Sequence, residues 1–400
     1  MAVRSTYGVM AGIALLGLGV TACSSGDTTV SAAAASPAAS AKTSASAMKT
    51  GTCPESSAAK PTSTSSATAG AAPSGQSAAA MLGAKTVKKA DTRSSTVVTP
   101  SGPQIRCGTT EVTLDKDITF ASPTVKGKKL DLKLDLQVPK TDGRKPLVVY
   151  ITGGGFVMAD QSATLGERTY VAEQGYAVAS VQYRTTSTGS TYKDGVADVK
   201  SAIRYLRAHA DEYGIDTSKV AVRGQSAGGY LAAMVGATSG TKDFVSGDNL
   251  DQSSDVQAVV DEFGASDLAK IADDFDAATR ETYLAPGSFV NAYVFGPVSK
   301  KTVTTDPAAN KAANPATYLS STSAPFILLQ GDKDRIISPG QSLILLDALK
   351  AKGVEATRYV IRGADHGDMS FLGDPKAGLP WSTQKVMGII TGFLDQKLRK

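Results

Sequence analysis

Ser226 lies in Gly224-Gln225-Ser226-Ala227-Gly228-Gly229, between the apolar run Lys219–Arg223 and a small-residue stretch of helical character. A serine acts as a nucleophile when its hydroxyl is exposed and a neighbouring base can take its proton. A Gly-x-Ser-x-Gly turn from strand to helix meets the first need. It holds the serine in a strained backbone conformation, and its glycines leave room where a Cβ would strike nearby backbone. The helix N-terminus behind the turn favours negative charge developing at the reacting centre. In a chain this rich in Ser and Gly the pentapeptide arises easily by chance, so the strand-turn-helix context carries the reading.

The proton acceptor is sought among the 2 histidines of the chain. Imidazole titrates near neutral pH and suits general base work. His209 falls inside the helical stretch Tyr192–Tyr213, upstream of the turn, and reads as a surface or interhelix residue. His366, in Gly363-Ala364-Asp365-His366-Gly367, follows the last strand-like run and is the candidate base. An acid must fix its tautomer and stabilise the imidazolium. Asp334 in Gly331-Asp332-Lys333-Asp334-Arg335 is preferred for that role, with Asp332 and Asp365 as competitors. Asp332 can brace its own loop, and Asp365 adjoins His366 too closely to fold back onto the ring with ease.

A second glycine-rich loop, Thr152-Gly153-Gly154-Gly155-Phe156, follows the apolar strand Pro146–Ile151. Consecutive glycines let backbone N–H groups approach and converge on one oxyanion, with a further N–H from Ala227, the residue after the serine. A phosphate cradle ranks lower. The loop lacks both the Gly-Lys-Ser/Thr ending of a P-loop and the Gly-x-Gly-x-x-Gly spacing of dinucleotide folds.

These loops need a scaffold. Candidate strands are Glu111–Leu114, Leu130–Val138, Pro146–Thr152, Ala177–Tyr183, Lys219–Arg223, Val256–Phe263, Pro325–Leu329 and Ala356–Ile361. Candidate helices are Gly166–Gln174, Tyr192–Tyr213, Ala227–Gly236, Pro339–Lys352 and Gln384–Leu398. Leu130, Leu132, Leu134 and Leu136 alternate with polar residues, as a half-buried edge strand does. The continuous apolar run Leu147–Ile151 suits a central parallel strand covered on both faces. Alternating strands and helices imply an α/β fold with a mostly parallel, eight-stranded sheet and helices on both faces. A site is expected on the loops at the carboxyl ends of those strands.

From about residue 125 to 398 the sequence resembles the α/β-hydrolase superfamily, close to hormone-sensitive-lipase-like esterases and bacterial feruloyl/acetyl-esterase-like enzymes. Beyond the serine turn, the resemblance rests on Tyr183-Arg184, Asp198-Val199-Lys200, Tyr205–His209, Tyr213–Asp216, Ala324-Pro325-Phe326 and Gly331–Asp334. It implies a triad of Ser226, Asp334 and His366, with Gly154, Gly155 and Ala227 as oxyanion donors. It further implies hydrolysis of carboxylic esters through an acyl-serine intermediate, without metal or organic cofactor. The expected substrates are short-chain acyl, acetyl or feruloyl esters, carbohydrate-linked ones included. A serine peptidase or acyltransferase of the same fold is the alternative, as is a catalytically silent wall-binding lipoprotein. The sequence departs from the family at Thr152, where the usual residue before the three glycines is His. Specificity is expected to involve an insert at about 265–318, which carries Phe275, Tyr283, Phe289, Tyr293 and Phe295 and reads as a small cap or as core packing.

The 400-residue chain carries 42 Lys/Arg against 37 Asp/Glu. The excess lies in the first 106 residues; positions 107–400 hold 33 cations and 34 carboxylates. A near-neutral domain without a basic stripe argues against a nucleic-acid partner. With 3 Cys and 2 His, a multi-Cys/His zinc module is excluded. Residues 1–22 read as an export signal: Arg4, an apolar run from Gly8 to Val20, then Val20-Thr21-Ala22-Cys23. The small residues before Cys23 resemble the lipobox of bacterial lipoproteins, which implies lipidation at Cys23 and tethering to the outer face of the cell membrane. Residues 24–106 hold 49 Ser, Ala or Thr among 83 and no aromatic residue. The stretch 23–107 is therefore expected to be a disordered tether, with a root-mean-square span of about 50 Å. Its Lys85–Arg93 run reads as solvated charge or a contact to anionic wall or lipid. The folded domain is expected at 108–400. In an oxidising compartment Cys53 and Cys107 are a candidate disulfide, with Cys53 placed in chain that reads as unstructured. Oligomeric state is not legible.

Overall fold

A computed structural model describes residues 51–55, 83–367 and 376–400. The signal 1–22, Cys23 and most of the expected tether lie outside the described residues. The strands are β1 (Ser95–Val98), β2 (Val112–Ala121), β3 (Thr124–Val125), β4 (Lys128–Lys129), β5 (Leu132–Pro139), β6 (Lys145–Ile151), β7 (Ala177–Val181), β8 (Ile215–Gln225), β9 (Ala258–Glu262), β10 (Phe326–Gly331) and β11 (Ala356–Ile361). The helices are α1 (Leu165–Glu173), α2 (Tyr192–Ala208), α3 (Ala210–Tyr213), α4 (Ala227–Ala237), α5 (Ala277–Leu284), α6 (Phe289–Phe295), α7 (Pro307–Ala312), α8 (Gly340–Ala351) and α9 (Gln384–Leu398).

Nine strands form one sheet in the order β1-β11-β10-β9-β8-β6-β7-β5-β2, and β3 and β4 make a separate hairpin. From β1 to β7 all neighbours are parallel; β5 runs antiparallel to both β7 and β2. Strand alternation divides the core. On β6, Leu147, Val149 and Ile151 face the apolar layer built with α2, α4 and α8, while Val148 and Tyr150 face the layer of α1 and α9. On α2, Val196, Val199, Ile203 and Leu206 are buried, and the Thr191–Asp194 capping box satisfies donors at its start. The helical stretch expected over Tyr192–Tyr213 is interrupted at His209, where α2 ends and α3 begins.

The sheet has nine strands where eight are expected from the sequence, and the added one, β1, lies inside the stretch read as a disordered tether. The folded domain therefore begins at or before residue 83, not at 108. Thr96-Val97-Val98 has no periodicity of its own, but it adds to the open edge of β11 in parallel register. Ala84, Ala90, Val98 and Ile105 are buried. The Lys85–Arg93 run is docked rather than free: Lys85 N–H donates to Asp276, Lys88 N–H to the Asp274 carbonyl, and Arg93 pairs with Asp91 and Asp347. Cys53 and Cys107 are joined by a disulfide across 54 positions. It packs against α1: a Cβ at Gly166 would press on Cys53 and the Pro54 carbonyl.

The insert expected between 265 and 318 contributes to the main core. Phe275, Tyr283 and Tyr293 are buried, and Phe289 and Phe295 pack against them as half-buried residues.

Two stability outcomes follow from the docked N-terminal segment. Replacing both Cys53 and Cys107 by Ser should lower unfolding free energy in urea by about 4 kcal/mol, the loop-closure value for a crosslink of this span. A chain starting at residue 83 should keep a cooperative transition, lowered to that of the double Cys→Ser variant because it too lacks the disulfide. One starting at 108 should lose solubility because it uncovers the β11 edge. Equal transitions for the two truncations would show that β1 contributes nothing.

Candidate active site

Strand β8 ends at Gln225 and α4 begins at Ala227, so Ser226 alone turns the chain. It does so at φ 57°, ψ −119°, a conformation that costs a non-glycine residue about 1–3 kcal/mol. The surroundings fix it there. The Ser226 N–H donates to the Glu262 carbonyl at 2.9 Å, and its own carbonyl accepts the Tyr230 N–H at 3.0 Å. A Cβ at Gly224 would strike the Gly228 carbonyl, and one at Gly228 would strike the carbonyl of Ile151 on β6. Glycine is required at both because strand, turn and helix approach one another so closely.

The loop after β11 brings His366 Nε2 to 2.7 Å from Ser226 Oγ. On the other side of the ring, Nδ1 lies 2.9 Å from Asp334 Oδ2. With Nδ1–H donating to the carboxylate, Nε2 is free to accept the serine proton. Asp334 is fully buried and His366 nearly so. Asp334 Oδ1 accepts the backbone N–H groups of Ile336 and Ile337, each at 2.9 Å. Its Oδ2 also accepts Gln330 Nε2 at 2.8 Å. Phe263 meets the imidazole in a T-shaped contact at 4.8 Å between centroids and makes a second such contact with Trp381.

The competing carboxylates do other work. Asp332 accepts the Gly363 N–H at 2.6 Å and ties the acid loop to the loop carrying His366. Asp365 turns away from the ring. It accepts the N–H groups of Arg335 at 3.0 Å and His366 at 2.8 Å, and it pairs with the Arg335 guanidinium. His209 lies apart, stacked on Tyr205 and beside Glu212 at 3.2 Å.

The glycine loop passes directly over the nucleophile: a Cβ on Gly153 would sit 3.2 Å from the Ser226 Cβ. Gly154 at φ 144° and Gly155 at φ 60° bend it into a turn in which the Gly154 carbonyl accepts Val157 N–H and Met158 N–H. Among the described residues, no backbone N–H of Gly153, Gly154 or Gly155 donates to the protein. Ala227, first in α4, has no intrahelical acceptor for its N–H. These donors remain for a ligand oxygen.

Thr152 does not brace this loop with its side chain. It is buried, and its hydroxyl finds no partner among the described residues. Other groups hold the loop. Tyr183 Oη donates to the Thr152 carbonyl at 3.0 Å, and Thr186 N–H and Thr185 Oγ1 each donate at 2.9 Å, to the carbonyls of Phe156 and Val157. Phe156 stacks on Tyr293 of α6 at 4.2 Å and meets Tyr230 of α4 edge-on. The aromatic insert thus supports the glycine loop from below. Sequence reasoning missed Thr185 and Thr186, since hydroxyls in a polar loop carry no periodic signal.

Beneath the turn lies a buried charged group. Arg223 on β8 pairs with Glu262 at 2.6 Å and Glu167 at 2.5 Å, and Gln225 bridges Glu167 to Tyr150. Burial pushes Glu167 up, offset by Arg223. Burial also pushes Asp261, on the next strand, up to about 7, with the Gly264 N–H acting the other way. The arrangement as a whole can carry out acyl transfer: a nucleophile on a base, an oriented base, and unpaired N–H donors beside the reacting hydroxyl.

The BD-FAE family profile matches residues 134–349, more than half of the chain. An isoprenylcysteine alpha-carbonyl methylesterase, ICME, of Arabidopsis thaliana is 30% identical over 250 residues, covering 62% of this chain and 56% of that protein. Esterase LipC of Mycobacterium tuberculosis is 28% identical over 226 residues, covering 56% of this chain and 53% of that protein. The chain spans little more than half the length of these relatives. Among solved structures, a truncated form of a carbohydrate esterase from gut microbiota matches with a TM-score of 0.58 at 25% identity, covering 72% of this chain and 97% of that one.

Two substitutions separate the roles given above. Asp334→Asn should lower turnover of an activated ester by about 10⁴-fold, because the amide favours the wrong imidazole tautomer. Asp365→Asn should cost far less; the reverse order would exchange their assignments. Thr152→Val removes the buried, unpaired hydroxyl without changing shape. It should raise stability by about 1 kcal/mol and leave turnover within about threefold of the parent.

Proposed function

The chain belongs to the BD-FAE family of α/β-hydrolase esterases, and we propose that it hydrolyses carboxylic esters through an acyl enzyme on Ser226. The observation that carries this reading is the hydrogen-bonded line from Asp334 Oδ2 through both ring nitrogens of His366 to Ser226 Oγ. Ser226 attacks the ester carbonyl as His366 Nε2 takes its proton. The tetrahedral oxyanion is received by the N–H groups of Gly154, Gly155 and Ala227, each such donor contributing about 10²–10³-fold in kcat. His366 then gives its proton to the departing alkoxide, the alcohol leaves, and the same nitrogen activates water to release the acid and restore Ser226. Asp334 holds the ring and stabilises the imidazolium without taking the proton.

The substrates in this proposal are short-chain acyl, acetyl or feruloyl esters, with carbohydrate as the alcohol. The similarity to a carbohydrate esterase at 25% identity supports that choice. We further propose export and lipidation at Cys23, with the residues between Cys23 and the disulfide-held segment at Cys53 acting as the tether. The disulfide between Cys53 and Cys107 supports an oxidising location. Among the described residues no helix is long and apolar enough to cross a membrane. In this proposal the lipid on Cys23 supplies the attachment.

Kinetics on p-nitrophenyl esters of increasing chain length, beside acetylated xylan and feruloyl sugars, test the chemistry and the substrate class together. Turnover should be greatest on short acyl chains and vanish in Ser226→Ala with the far-UV circular dichroism unchanged. Retained turnover in Ser226→Ala would overturn the mechanism, and preference for long acyl chains would overturn the substrate class. For the anchor, Cys23→Ala should abolish labelled palmitate incorporation; a mature N-terminus other than Cys23 would contradict lipidation.

A further inference from the structure

Gln330 is the last side chain of β10 before the acid loop, and it is completely buried. The next residue, Gly331, abuts the loop that carries His366: a Cβ there would strike the Ala364 carbonyl. Lys333 N–H donates to that same carbonyl at 2.9 Å. Position 330 is therefore built where the acid loop and the base loop meet. The Gln330 amide reaches Asp334 Oδ2 at 2.8 Å, the same oxygen that receives His366 Nδ1–H. Only its NH₂ end can face a carboxylate, which has acceptors alone. Its carbonyl end, Oε1, is buried with no partner among the described residues. A side chain kept solely for packing would be apolar here and would leave no stranded acceptor.

We propose that Gln330 is a positioning residue for the triad, setting how strongly Asp334 holds the His366 imidazolium. The inference rests on the esterase reading above. Asp334 Oδ1 is occupied by two backbone donors, so the Ile336 and Ile337 amides fix that half of the carboxylate. Oδ2 divides its acceptor capacity between His366 and Gln330. The Gln330 N–H stops the carboxyl from rotating about its bond toward the ring. It also draws off part of the negative charge that would otherwise bear on the imidazolium. Without it the proton on Nε2 is held more tightly, and its transfer to the leaving alkoxide is less favourable. Among the described residues, the other ionisable groups beside the pair are Asp365, which turns from the ring onto Arg335, and the Tyr283 phenol of α5, which interacts electrostatically with Asp334. Neither is altered by changing Gln330.

Gln330→Met keeps the length and removes the donor, and Gln330→Asn keeps the amide but draws it back by one methylene. In the full chain both should lower kcat about three- to tenfold with KM nearly unchanged, a loss within that of a hydrogen bond to a charged group. Both should move the acid limb of the kcat/KM profile to higher pH by about half a unit to one unit. Gln330→Met should melt no lower than the parent, since it removes the stranded Oε1. A parental acid limb and kcat in either folded variant overturns the proposal, and so does a lowered melting point with an unmoved limb, which marks a packing role. Should Gln330→Met fail to fold, Gln330→Asn decides alone. Hydrolysis persisting in Ser226→Ala would instead remove the esterase reading itself, so the two failures are distinguishable.

Discussion

Everything at the site depends on keeping Ser226 in a backbone conformation that its own side chain disfavours. A serine at φ 57° is tolerated only where neighbours over-determine it. Here the neighbours are two central parallel strands and the helix they feed. Gly224 and Gly228 let β6, β8 and α4 close on one another, and β9 accepts the Ser226 N–H. The strain is about 1–3 kcal/mol, small beside the apolar surface that α4 buries between the sheet and α2. The turn is thus held by the core and not by local propensity.

Three loops from neighbouring strands converge on that fixed point, and each has its own brace. The glycine loop is carried on aromatic stacking between Phe156 and Tyr293 and on threonine hydrogen bonds to its carbonyls. The acid and base loops are tied to one another by Asp332 with Gly363 and by Asp365 with Arg335. The N-terminal segment reaches the same place: Ala84 N–H donates at 2.8 Å to the carbonyl of Arg335, the residue that follows Asp334. Chain ahead of residue 108 is thereby part of what holds the acid in place. The buried group of Arg223, Glu262, Glu167 and Gln225 links the turn to α1, which the disulfide in turn anchors.

Much of the site was legible, for two different reasons. His366 stands out as one of only two histidines, and Ser226 stands out because its turn joins an apolar strand to a helical stretch. Asp334 was one of three carboxylates within reach in sequence, and only the fold separates the one that meets Nδ1 from the two that brace loops. Central strands were legible because continuous apolar runs report burial on both faces. Strand β1 was not, since Ser95–Val98 is stabilised by an edge formed some 260 residues later and by no pattern of its own. Buried cations were equally hidden. Lys200, Arg204 and Arg358 sit on elements whose polar positions ordinarily face water, yet they donate to main-chain carbonyls of loops folded over them. One-dimensional hydrophobicity has no means of distinguishing such a cation from a solvated one.

The most direct measurement is the mass-spectrometric location of the covalent adduct formed when the folded protein is treated with a fluorophosphonate or a slowly deacylating ester. Trypsin cleaves after Arg223 and Lys242, so the nucleophile is carried on the single peptide 224–242. A stoichiometric adduct on Ser226, absent from His366→Ala, is the expected result. An adduct on Ser239 or on any other peptide, or none in protein that is folded, would contradict the assignment of Ser226 as the nucleophile.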